Sequence, residues 1–379
     1  MNLYGIEIDD LLYKHFLEFL SDAEIDSLFR SITTPPPRYY IRVNTLKISP
    51  RELVKRLNSR GLAAYRDEYI DDALWVPVEG PFKIPTAKKV VVVDKKAAES
   101  VMLGADLYAP AVIKTDRVNI GDEVNIVSDN GRVVALGVAV MDSDEALKAR
   151  RGLYIKVEKS LYRTPKLRNL PEYAEGLFYS QSLPAILVGH IARRITQTDA
   201  VDLNSAPGGK TTHLAQMGIR VIAVDRSAQK IEKLRSEAAR LGLDVFIDIL
   251  LHDSRYLDRD FPKIKAGVAL VDPPCTDIGV RPKIYHKVTF EAAKTLARYQ
   301  IQFLKTALKI APYVIYSTCT LTYIENEGVI EKAGAEIIDA GIEIGAPGWG
   351  CRECRRFLPH VHNTPGFFIA VLRGARKEP

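Results

Sequence analysis

Residues 201–214 read VDLNSAPGGKTTHL: an apolar run, a turn of small and polar residues, then a helix-forming segment. Two glycines at a helix start let backbone N–H groups and the positive end of the helix dipole face a carboxylate or phosphate. The same alternation continues outward. After this turn come RVIAVD (220–225), SAQKIEKLRSEAARLG (227–242), VFIDIL (245–250), GVALVD (267–272), a helical stretch near 290–309, YVIYST (313–318), another helix and GFFIAVL (366–372). Strand and helix patterns alternating from about residue 175 onward predict a mostly parallel sheet with helices on both faces, an α/β Rossmann-like domain over 170–376.

The turn selects a class of ligand. A triphosphate-binding loop would need glycine at 204, where this chain has Asn204, and the dinucleotide pattern GxGxxG is absent. The second strand ends at Asp225, roughly twenty residues past the first, where an acid accepts the hydroxyls of a ribose. The third is followed by Asp253, placed to accept the exocyclic amine of an adenine. A nucleoside cofactor is expected, and S-adenosylmethionine fits at least as well as NAD.

Two of the four cysteines sit at the carboxyl ends of the next two strands: Cys275 in VALVDPPCTD and Cys319 in YVIYSTCTLT. Asp272 is followed by Pro273 and Pro274, which fix φ and remove N–H donors, so the corner is stiff and its side chains are held over the cofactor crevice. An acid hydrogen-bonded to ring nitrogen 3 and the amine of a cytosine draws electrons from the ring, so that a thiolate can add to carbon 6. Lone cysteines at strand ends are often small buried hydrophobes; two of them in these contexts point to covalent chemistry on a pyrimidine.

Residues 1–87 mix amphipathic stretches with the strand candidate YYIRVNTLKI and read as an α+β RNA-binding unit. Its clearest helix should start at Ser49, with Pro50 at the first helical position and Gly61 beyond the end. Prolines 77, 81 and 85 then mark a linker. Residues 88–165 change to short β-branched runs separated by turns, with a hairpin signal at Asp129-Asn130-Gly131, and predict a small β-barrel. This stretch resembles a PUA domain in its helix ending at Gly104-Ala105, the extended Tyr108-Ala109-Pro110 and the GDEV strand. Ala111 stands where that family usually has glycine.

Residues 175–373, with the N-terminal RVNTLK segment, resemble the Sun-type (RsmB-like) RNA cytosine-5 methyltransferases. The resemblance rests on SAPGGKT, VDRS, VDPPCTDIGVRP, YSTCTLTYIENEGVI and RFLPHVHNTPGFFIAVL. Together with an inserted PUA unit, it implies a subgroup that methylates a cytidine of the tRNA acceptor stem beside the CCA end, at position 72, using S-adenosylmethionine. By that resemblance Cys319 is the nucleophile, Asp272 stabilises the activated ring, Cys275 helps remove the carbon 5 proton, and Lys210 assists the ring contact. Ser205, Ala206, Pro207, Gly208, Gly209 and Lys210 would hold the methionine end of the cofactor. Asp225 would take the ribose and Asp253 the adenine side, with Lys230 and Asp272 completing the site. The chain departs from the family at Asn204-Ser205, where Cys-Ala is usual, and at Thr276-Asp277, where Ser-Gly is commoner.

Composition bounds the rest. No apolar run reaches the roughly 18 residues needed to cross a bilayer, and the acidic MNLYGIEIDD start is unlike a signal peptide; a cytoplasmic monomer that binds tRNA, not DNA or membrane, is expected. Net charge +6 favours a polyanionic partner weakly. Basic clusters at Lys88-Lys89, 148–151, 163–168, Arg193-Arg194 and 352–356, with Tyr39, Tyr40, Tyr108 and Tyr162 as stacking partners, are candidate RNA contacts. Cys351 and Cys354, near His360 and His362, read as free thiols, with a local disulfide or zinc as alternatives and no metal expected. Two other functions fit the same residues: rRNA cytosine-5 methylation, or a non-catalytic RNA-binding assembly factor.

Overall fold

The structure, a computed structural model, describes residues 1–374. Nine strands build the C-terminal sheet among these residues: β1 (Asp199–Asp202), β2 (Arg220–Asp225), β3 (Ile247–Leu251), β4 (Val268–Val271), β5 (Tyr313–Thr318), β6 (Glu336–Ile338), β7 (Ala346–Gly348), β8 (Cys351–Phe357) and β9 (Phe367–Arg373). Their order is 3-2-1-4-5-9-8-7, with β6 also paired to β9. Strands β1 to β5 run parallel and β9 returns antiparallel to β5. The order reverses between β1 and β4, so a crevice opens at the carboxyl ends of these strands.

Both faces are covered, which is why the central strands read as continuous apolar runs. Val268 and Leu270 of β4 face the helix α1 (Leu183–Ile195) through Leu187, Val188 and Ile191. Ala269 and Val271 point the other way, onto Phe303, Leu304 and Ala307 of the helix Phe290–Ile310. The period-two alternation of a strand thus feeds two separate cores. Helix α2 (Gly209–Gln216) follows the glycine turn. Helix α3 (Ala228–Leu241) starts where the Ser227 side chain accepts the Lys230 N–H and ends at Gly242 in the left-handed region. The long helix, Phe290–Ile310, is α4.

The inserted unit is a six-stranded sheet with the helix Lys95–Val101. Strands Glu123–Ser128 and Val133–Ala139 pair antiparallel across the Asp129-Asn130-Gly131 turn, as the sequence indicates. Helix Pro50–Ser59 begins at Ser49, whose hydroxyl accepts the Glu52 N–H at 3.2 Å.

Two stretches cross the divisions expected at 87 and 170. Strand Phe178–Ser180 leaves the C-terminal domain and pairs with Arg38–Val43, completing the N-terminal sheet after the inserted unit. Residues 2–32 pack instead beneath the cysteine loops: Ile6–Ile8 pairs with His286–Val288, and Leu12, Phe16 and Phe29 share a core with Ile278 and Leu321. An amphipathic pattern such as LLYKHFLEFL declares that a face is buried, not which partner buries it. Among the described residues no helix is long and apolar enough to cross a membrane.

Candidate active site

A cavity of about 400 Å³ occupies the crevice, lined by Asn204, Ala206, Asp225, Lys230, Asp253, Asp272, Cys275 and Cys319 together with Tyr299 and Phe303. Every strand end named by the sequence therefore delivers a residue to one place. Val271 of β4 lies beside Tyr316 of β5 in register, and the loops leaving these strands bring Cys275 Sγ to 3.4 Å from Cys319 Sγ. Pro273 and Pro274 end the β4 ladder, and the Pro274 carbonyl is held by Gln300 Nε2 of α4 at 3.0 Å.

The Cys275 thiol is pushed well up, first by its hydrogen bond with the Cys319 sulfur, then by burial, with the Glu325 carboxylate adding to it. Beside it, Lys210 Nζ donates to Asp272 Oδ2 at 2.5 Å and lies 5.3 Å from the Phe367 ring centroid. Behind this pair the buried Asp202 accepts from Thr211 Oγ1 at 2.7 Å and from the Asn204 N–H. Burial pushes its carboxyl up to about 6.

The other half of the cavity suits a nucleoside. Asp225 uses Oδ1 to accept the Ser227 N–H at 2.8 Å, which leaves Oδ2 for a ligand hydroxyl. Asp253 is gripped by Arg255 through Nη2 at 2.6 Å and Nε at 3.0 Å, and that contact lowers its pKa. Arg255 in turn sits 4.5 Å over Tyr299, whose hydroxyl is buried without a partner among the described residues. Asn204 Oδ1, in the turn, is likewise a buried acceptor without a donor. Free acceptors, an aromatic wall and an acid with one oxygen uncommitted match the donors and rings of S-adenosylmethionine.

Of the turn residues assigned to the cofactor, Ala206 lines the cavity, whereas Ser205, Pro207, Gly208, Gly209 and Lys210 are not among its lining residues. Gly208 has φ +113°, and a Cβ there would meet Leu234 Cδ1 at 2.6 Å, so glycine lets the turn close onto α3. Lys210 reaches the site through Asp272. Sequence reasoning passed over Tyr299, Phe303 and Arg255; the first two stand four apart on α4 and so share a face, the signal that could have found them.

Several candidate contacts are not available. Tyr40 is buried against Asp67, and Tyr162 is buried in the inserted unit, while Tyr108 is exposed. Arg163 pairs with Glu79, and Arg356 is buried on Glu327. Cys351 and Cys354 are joined in a disulfide, which corrects the free-thiol reading: a bulge in β8 brings their Cα atoms to 5.4 Å. His362 Nδ1 accepts the Leu358 N–H at 2.8 Å, a local structural use.

Comparison with known proteins agrees in order and extent. Residues 193–373 match the family 16S rRNA methyltransferase RsmB/F, 89–161 the PUA domain and 14–83 the RsmF/B-like ferredoxin-like domain. The chain is 38% identical to the tRNA (cytosine(72)-C(5))-methyltransferase of Pyrococcus horikoshii, covering 96% of each. It is 26% identical to human tRNA (cytosine(72)-C(5))-methyltransferase NSUN6, over 94% of this chain and 88% of that one. The crystal structure of NSun6 from Pyrococcus horikoshii with SFG, an S-adenosylmethionine analogue, superposes with a TM-score of 0.89 at 37% identity, over 98% of this chain and 99% of that one.

Proposed function

The chain belongs to the RsmB/F (Sun-type) family of S-adenosylmethionine-dependent RNA cytosine-5 methyltransferases, and from that premise we propose that it methylates carbon 5 of cytidine 72 in the tRNA acceptor stem. The observation that carries this reading is the 3.4 Å approach of Cys275 and Cys319 in a cavity also lined by Asp225, Asp253 and Tyr299. Near full-length similarity to two enzymes named for position 72 favours tRNA over rRNA, whose human enzyme is matched over 54% of this chain.

The cofactor supplies an electrophilic methyl group on a sulfonium. Cys319, as thiolate, bonds to carbon 6 of the flipped-out base, and the electron pair of the 5,6 double bond moves to carbon 5 and, through carbon 4, toward ring nitrogen 3. Asp272, with Lys210 on its Oδ2, accepts from the exocyclic amine and delivers a proton to nitrogen 3, so that the added charge is neutralised where it develops. Carbon 5 thereby becomes nucleophilic and takes the methyl, while the sulfonium keeps the bonding pair and leaves as the thioether S-adenosylhomocysteine. Cys275 takes the carbon 5 proton; the electron pair of that C–H bond reforms the double bond and expels Cys319 as thiolate. Asp225 and Asp253, the latter held by Arg255, fix the nucleoside end, and Tyr299 and Phe303 exclude water from it.

The PUA-like unit contributes exposed Tyr108 toward the single-stranded CCA tail. A cytoplasmic monomer acting on tRNA fits this reading. The test is transfer of labelled methyl to a transcript with C72 and none to its U72 counterpart; equal labelling of both, or labelling confined to rRNA, overturns it.

A further inference from the structure

Six residues past Cys319 a carboxyl group with no cationic partner among the described residues is wholly buried: Glu325 is 0% exposed, within hydrogen-bond reach of five donors. Its Oε1 accepts the Thr276 N–H at 2.9 Å and Gln300 Nε2 at 3.1 Å. Its Oε2 accepts the hydroxyls of Thr276, Thr322 and Thr320 at 2.5, 2.9 and 3.1 Å. Thr276 directly follows Cys275 and Thr320 directly follows Cys319, and the two hydroxyls lie 2.6 Å apart. A buried charge is costly unless its oxygens are satisfied. Here the donors that satisfy it come from both reactive loops and from Gln300, which also holds the Pro274 carbonyl.

We propose that Glu325 is a positioning residue for the two-cysteine reaction, a clamp that fixes the loop of the attacking thiol and the loop of the releasing thiol in one register. The proposal rests on the roles assigned above to Cys319 and Cys275. Each arm serves one step: the Thr320 tie sets the sulfur that adds to carbon 6, and the Thr276 tie sets the sulfur that permits release. Glu325 touches neither base nor cofactor; it acts through its threonines.

Isosteric loss of each hydroxyl separates the two arms. With C72 transcript and S-adenosylmethionine, Thr320→Val should lower the rate of covalent RNA adduct formation about tenfold, whereas Thr276→Val should raise the steady-state fraction of adduct by slowing release. Glu325→Ala should impair both steps, Glu325→Gln should recover most of the loss, and S-adenosylhomocysteine affinity should stay within twofold throughout. The proposal is overturned if the two threonine variants behave alike, if either matches the parent rates, or if S-adenosylhomocysteine binding falls in step with activity. Should Cys275→Ser itself trap no adduct, the underlying cysteine assignment fails, whatever the threonine variants do.

Discussion

Arg42 Nη1 donates to the Gly209 carbonyl at 2.6 Å, so a strand of the N-terminal sheet holds the glycine turn of the catalytic domain from behind. The same guanidinium reaches Gln181 Oε1, Thr212 Oγ1 and Gln216 Oε1, and burial lowers its pKa to about 10. A planar fork of five donors suits this dispersed set of acceptors; an ammonium does not.

Arg42→Met should therefore destabilise the protein by at least about 3 kcal/mol, since each buried acceptor left without a donor costs roughly 1–3 kcal/mol. Arg42→Lys should recover less than half. Urea denaturation of the three proteins checks both statements.

A second consequence concerns pH. His213 is buried with Nε2 2.9 Å from Asp72 Oδ2, and its pKa is lowered to about 4, first by burial and then by the Arg42 charge, against the pull of Asp72. His190 Nε2 lies on the other oxygen of Asp72 at 2.7 Å. The unfolded chain binds a proton at His213 from about pH 6.5 downward, whereas the native state binds it near pH 4. Stability should thus fall as pH drops through that window, by about 3 kcal/mol, and the fall should flatten in His213→Gln. Denaturation midpoints at pH 7.5 and 4.5 measure it.

The ribose acid can be tested alone. Asp225→Ala removes a charge-assisted acceptor from the cavity and should weaken S-adenosylhomocysteine binding about 10- to 100-fold, as loss of 1.5–3 kcal/mol implies. Calorimetric titration gives the value, with the denaturation midpoint as the control for folding.

The Cys351–Cys354 bridge closes a short loop packed in the same core as Val329 and Ile330. By chain entropy its removal as Cys351→Ala/Cys354→Ala should cost about 2 kcal/mol. A melting temperature unchanged by the double substitution or by reductant would show that the bridge adds nothing.

Much of the site was legible because its chemistry is carried by residues at strand ends. Asp225, Asp272, Cys275 and Cys319 follow apolar runs that can hardly be anything but buried parallel strands, and the topology then converges them. What stayed hidden depends on partners far apart in sequence. Glu325 looks like a surface acid of a helix start until Thr276 and Gln300 fold onto it. Tyr299 belongs to an amphipathic helix whose inward face ends at a ligand cavity, not at the core. Strand Phe178–Ser180 is three residues long, too short to carry a period, and its sheet is set by a partner 135 to 139 residues earlier. The disulfide needed a bulge in β8, which spacing alone does not announce.

The most direct test of the two-cysteine chemistry is mass spectrometry of the peptide left linked to C72 RNA after reaction with S-adenosylmethionine. Cys275→Ser should accumulate a stable adduct whose nucleotide is attached to Cys319, and Cys319→Ser should yield none. An adduct on Cys275 in Cys319→Ser, or none from Cys275→Ser, would contradict the assignment.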